Sequence, residues 1–136
     1  MASPIKPTRV RDFEDLLVWQ KAVDLTVDVY RETRRFPREE LFGITSQIRK
    51  AATSIASNIA EGNGRETTKD YLHFLATARG SLFEVRSLLT VSRRLGFLAE
   101  DQSKALREQA AEIGRMLSGL RASLKRRIKR HSKRQP

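Results

Sequence analysis

Apolar side chains recur every three or four residues through four stretches of this chain, and Gly, Pro and small polar residues fill the breaks between them. Asp12 suits an N-cap, and Glu14 with Asp15 falls in a first turn where the helix dipole favours negative charge. Leu16, Trp19, Val23, Val27 and Tyr30 then share one stripe, predicting a first helix that ends near Phe36, ahead of Pro37. Pro37 to Glu40 suits a further helical turn, because proline has no amide to lose there. A second helix is expected from Ile44 to Glu61, with Ile44, Ile48, Ala52, Ile55 and Ile59 inward and Gln47, Ser54, Asn58 and Glu61 on a polar stripe. Gly62, Asn63 and Gly64 end it. A third helix is capped by Thr67 or Thr68 and runs to Leu95, its inner face formed by Tyr71, Leu75, Ala78, Leu82, Val85 and Leu89. The fourth starts near Glu100 or Asp101, and Leu106, Ala110, Ile113, Leu117, Leu120 and Leu124 alternate steps of four and three along a heptad seam.

Short connections between four such helices predict an all-α, antiparallel up-down-up-down four-helix bundle. Composition agrees: Ala, Glu, Lys, Leu and Arg make up 65 of 136 residues, as in long helices. The expected organisation is a flexible N-terminal lead over 1–11, the bundle over 12–124 and a basic C-terminal tail over 125–136. Helix three also carries Leu72, Phe74, Phe83 and Leu88 off its main stripe. That width suggests burial on a second side by oligomerisation; a wide stripe inside one thick bundle is the plainer explanation.

Charge narrows the partners. The chain has 27 Lys and Arg against 16 Asp and Glu, a net charge of +11. Eight of the basic side chains, and no acidic one, fall in residues 121–136: Arg121, Lys125, Arg126, Arg127, Lys129, Arg130, Lys133 and Arg134. Arginine outnumbers lysine 19 to 8, and its planar fork matches phosphate oxygens bidentately. The expected partner is the backbone of RNA or DNA, bound without base specificity, since no sequence-reading motif is present. A segment that only solubilises the protein, or docks an acidic protein, is the alternative. Arg31, Arg34, Arg35, Arg38, Arg93 and Arg94 would extend a basic surface, or Arg34, Arg35, Arg93 and Arg94 simply sit where helix C-termini favour cations.

Chemistry beyond binding has little footing. There is no Cys, so neither disulfide, thiolate metal site nor thiol nucleophile exists, and a cytoplasmic home is expected. The two histidines, His73 and His131, lack paired-ligand spacing, and Glu66 with Asp70 does not make a two-metal site. The Gly62-Asn63-Gly64-Arg65 turn lacks the strand and Lys-Ser/Thr ending of a phosphate loop. No enzyme activity and no cofactor is expected. With no apolar run of membrane length and no apolar leader near the start, no membrane partner is expected either.

The series Phe13, Asp15, Leu16, Trp19, Ala22, Tyr30, Phe36, Pro37, Glu40, Phe42, Gly43, Gln47, Ile48, Arg49 and Ala51, followed by Ser54 to Gly62 reading SIASNIAEG, resembles the family of 23S rRNA intervening-sequence proteins. Phe74, Ala78, Gly80, Ser81, Glu84 and Leu88 continue the likeness, which covers roughly residues 12 to 120. That family is similar in fold to the accessory variability determinant of diversity-generating retroelements, a basic pentamer that binds nucleic acid and a reverse transcriptase. The resemblance implies a four-helix protomer, a homopentamer, no catalysis and an accessory role beside a retroelement reverse transcriptase. Among the residues carrying it, Arg49, Ser54, Asn58, Glu61 and Glu84 are expected to be structural polar groups. Arg49 would pair with Glu84 across helices two and three, while Ser54 and Asn58 bond neighbouring backbone or subunits.

Overall fold

The computed structural model describes residues 12–134; the expected lead over 1–11 lies outside them, as do residues 135–136. Four antiparallel helices form the bundle: α1 (Leu17–Thr33), α2 (Ile44–Asn63), α3 (Thr68–Arg94) and α4 (Glu100–Arg134). Short 3-10 turns at Phe13–Asp15 and Arg38–Glu40 precede α1 and α2, and no strand occurs among the described residues. At 1.5 Å per residue α3 spans about 40 Å and α4 about 52 Å, so both outrun the 17-residue α1.

The first helix begins later than its pattern implies. Asp12 caps the 3-10 turn, accepting from the Glu14 amide at 2.7 Å, and Leu16 is then extended (φ −75°, ψ 121°) before α1 starts. Gln20 holds the break by donating to the Glu14 carbonyl at 2.8 Å. The inner face also differs. Val18, Ala22, Leu25 and Val29 are the buried apolar residues of α1, whereas Val27 and Tyr30 are exposed and Trp19 and Val23 half-buried. Two apolar series interleave on this helix, and the one with the smaller side chains faces the bundle because it fits against the Ile48, Ala52, Ile55 and Ile59 row of α2.

The other stripes lie as expected except at Tyr71 and Leu120, which are half-buried against the edge of the core. Ile44, Ile48, Ala52, Ile55 and Ile59 of α2, Leu75, Ala78, Leu82, Val85 and Leu89 of α3, and Leu106, Ala110, Ile113, Leu117 and Leu124 of α4 are buried in one core. Gly62 lets α2 and α3 approach closely: a Cβ there would lie 2.8 Å from Phe74 Cβ and 2.9 Å from Tyr71 Cδ1. At the far end Gly96, with φ +81°, reverses the chain between α3 and α4, a left-handed conformation that glycine adopts without steric cost. Phe97 then packs on Phe36, ring centroids 5.7 Å apart. Of the off-stripe residues of α3, Leu72, Phe74 and Leu88 are half-buried within the bundle and Phe83 is exposed. The breadth of that helix is therefore mostly absorbed within the protomer.

Candidate nucleic-acid interface

Leu124 is the last buried residue of α4, yet the helix continues for ten more. Lys and Arg are good helix formers, and cations near a helix C-terminus are stabilised by the dipole. The basic segment is thus a helical extension of the bundle, and its residues, advancing 100° each, surround the helix with charge. Lys125, Arg126, Arg127, Lys129, Arg130 and Lys133 are all exposed, and Arg134 is the final helical residue. Arg121 differs: it is half-buried within the bundle, and its Nε is shielded from solvent with no hydrogen-bond partner.

One side of this extension lies against the start of α3. Arg127, Arg130, His131 and Ser132 face Thr67, Thr68 and Lys69 across an open groove of about 760 Å³. Thr67 caps α3, its hydroxyl accepting from the Asp70 amide at 3.1 Å. The positive end of the α3 dipole therefore opens into a cleft already lined by two arginines and a lysine. Beneath it the Tyr71 hydroxyl accepts from Asn63 Nδ2 at 3.2 Å. Burial pushes the Tyr71 phenol above its ordinary value, outweighing the opposite pulls of the Asn63 bond and the nearby Arg127 charge. Thr67, Thr68, Lys69 and His131 were absent from the site that charge counting marks, because a count along the chain does not show which helix start lies beside the cations.

Several of the remaining charges are paired. Arg31 pairs with Asp28 at 3.6 Å, and Arg93 with Glu100 at 3.1 Å, toward the opposite end of the bundle from the α4 extension. Arg107 also reaches Glu100 at 3.1 Å. The α1–α4 face carries both signs: Asp24, Asp28 and Glu112 share a groove with Lys21 and Arg31, Lys21 lies 3.6 Å from Glu112, and Gln109 donates to Asp28 at 3.0 Å. Among the described residues no three His, Asp or Glu side chains are grouped to hold a metal ion, and no helix is long and apolar enough to cross a membrane.

The structural polar set is only partly as expected. Arg49 does not pair with Glu84: its Nε donates to Thr33 Oγ1 at 2.9 Å, and its guanidinium lies 4.7 Å from the Tyr30 ring centroid. Arg49 leans toward α1, whereas Glu84 stands exposed on α3. Thr33 is buried and bonds the Val29 carbonyl at 2.8 Å, so its hydroxyl proton is used and its lone pair is free for Arg49. Ser54 and Asn58 do bond locally. Asn58 Nδ2 donates to the Ser54 carbonyl at 2.8 Å and to Ser54 Oγ at 2.9 Å, and Ser81 Oγ reaches Ser54 Oγ at 2.9 Å across the α2–α3 seam. Glu61 is exposed.

A family model described as 23S rRNA-intervening sequence protein matches residues 14–119. No functionally curated protein matches the chain. Among solved structures, the chain is similar to a protein of unknown function from the S23 ribosomal protein family of Bacteroides thetaiotaomicron, with a TM-score of 0.70 and 21% identity over 76% of this chain and 97% of that one. At that identity the likeness is one of fold. The matched region ends before Arg121, so the basic extension of α4 lies outside it.

Proposed function

The chain belongs to the family of 23S rRNA-intervening sequence proteins, and from that premise we propose that it is a non-catalytic bundle that binds the backbone of RNA or DNA without base specificity. What supports this reading is the continuation of α4 as a cation-covered helix beside the cleft at the start of α3. Phosphates placed there would meet Arg127 and Arg130 from one side and Lys69 with the α3 dipole from the other. The test is fluorescence anisotropy with labelled oligonucleotides across a salt series. Each neutralised phosphate contributes about 0.7 to the slope of log K against log salt on single strands and about 0.9 on duplex DNA. Replacing Arg126, Arg127, Lys129 and Arg130 together by Gln should flatten the single-strand slope by up to about 3. Absence of binding by the unaltered protein at low salt, or an unchanged slope in the variant, overturns the proposal.

A second observation favours assembly. Phe13, Trp19, Val23, Val27, Ala56 and Ala60 line an apolar groove of about 360 Å³ between α1 and α2. It supports a homo-oligomer, a pentamer on the fold resemblance, whose α4 extensions would present several copies of the cationic surface. The narrower form of the proposal makes such an assembly an accessory to a retroelement reverse transcriptase. Light scattering decides the mass, and a monomer at all concentrations removes this part.

A further inference from the structure

Phe83 sits on the outer face of α3, 44% exposed, with the Arg79 guanidinium 4.6 Å and that of Arg86 5.7 Å from its ring centroid. We propose that this Arg79–Phe83–Arg86 cluster is a stacking site for an unpaired nucleobase, so that the ligand of the basic surface is a single strand and not a duplex. The inference rests on the nucleic-acid reading above and adds which form of nucleic acid is held.

An exposed phenylalanine gains nothing from water, whereas its ring face and the two guanidinium planes offer the flat, cation-rich surface on which bases of any identity stack. Both arginines are exposed and make no salt bridge among the described residues, so their charge is available to the phosphates flanking a stacked base. Phe42 is still more exposed, at 93%, but among the described residues no guanidinium lies over its ring. Tyr30 also has an arginine near its ring, yet that guanidinium is tied to Thr33. Position favours Phe83 too. Leu82, its neighbour, faces Gly114 of α4, and Arg121 with its unpartnered Nε lies two turns further along α4 toward the basic end. A strand gripped at the α3 start would run about 24 Å along α3 to reach the ring. A paired base in a duplex cannot turn its face onto a side chain without leaving the stack.

The experiment compares a single-stranded oligonucleotide of about 20 residues with the same sequence as a duplex, using unaltered protein, Phe83→Leu and Phe83→Trp. Phe83→Leu keeps apolar bulk and removes the π face; because the side chain is outside the core, the fold tolerates the change. It should weaken single-strand binding about tenfold and leave the duplex unaffected. Phe83→Trp should retain affinity, and its added indole emission should be quenched when the single strand binds, against the constant background of Trp19. Equal effects on both ligands, or intact single-strand binding by Phe83→Leu, overturn the stacking site while leaving backbone binding in place. No binding by any form overturns the reading beneath it instead. A lower mass for Phe83→Leu in light scattering identifies the ring as a contact between copies of this chain, and also overturns it.

Discussion

Alanine at Gly62 should destabilise this protein although alanine is the better helix former. In an open helix the exchange gains up to about 1 kcal/mol, since glycine loses more backbone entropy on ordering. At Gly62 the added methyl would lie 2.8 Å from Phe74 Cβ, 2.9 Å from Tyr71 Cδ1 and 3.3 Å from the Tyr71 carbonyl oxygen. Two of those three atoms are fixed close to the α3 backbone, so the methyl fits only if α2 and α3 separate. Overpacking of this kind costs about 1–3 kcal/mol, which against that gain leaves a net loss of up to about 2 kcal/mol. Gly80 and Gly119 are the controls, because a Cβ at either meets nothing within 4 Å. Their alanine variants should gain about 0.5–1 kcal/mol. Urea unfolding at one protein concentration reads all three, with midpoints compared at unchanged slope. If Gly62→Ala is stabilised alongside the other two, the close approach of α2 to α3 is wrong.

Two further outcomes follow from the polar contacts. Thr33→Val should cost about 1–2 kcal/mol by stranding Arg49, and a double-mutant cycle with Arg49→Met should return a coupling near 1 kcal/mol. Glu84→Ala should change stability by less than about 0.5 kcal/mol, and a cost matching that of Thr33→Val would restore the discarded Arg49–Glu84 pair. Burial raises the Tyr71 phenol above its ordinary 10.0, so the folded state holds the proton more tightly than the unfolded state. That contribution is complete below the unfolded value and is lost as pH rises from it through the folded one. As pH rises above about 10, stability should fall more steeply for the unaltered protein than for Tyr71→Phe; parallel curves would exclude a shielded phenol.

The number, order and approximate limits of the helices were legible in the residue pattern, as were the inner faces of α2, α3 and α4. Each of those helices carries one dominant apolar stripe, and a 3.6-residue period has only one way to bury it. On α1 two stripes compete, and periodicity does not rank them. The large side chains Trp19 and Tyr30 drew the expectation outward, while the space left by the α2 isoleucines admits Val18, Ala22 and Leu25. Charge pairing failed for a related reason: opposite signs on α2 and α3 suggest a bridge, but the direction in which Arg49 leaves its helix brings it to a threonine of α1.

The amino-acid order alone determined that this is a helical bundle with its excess charge at one end, because periodicity and charge are local properties of the chain. Only the tertiary structure decided that the charge rides on an ordered helix, that the start of α3 completes a cleft with it, and that Arg79 and Arg86 bracket an exposed ring. The cleft joins residues some sixty positions apart, and such proximity is set by how four helices pack, which no single segment contains.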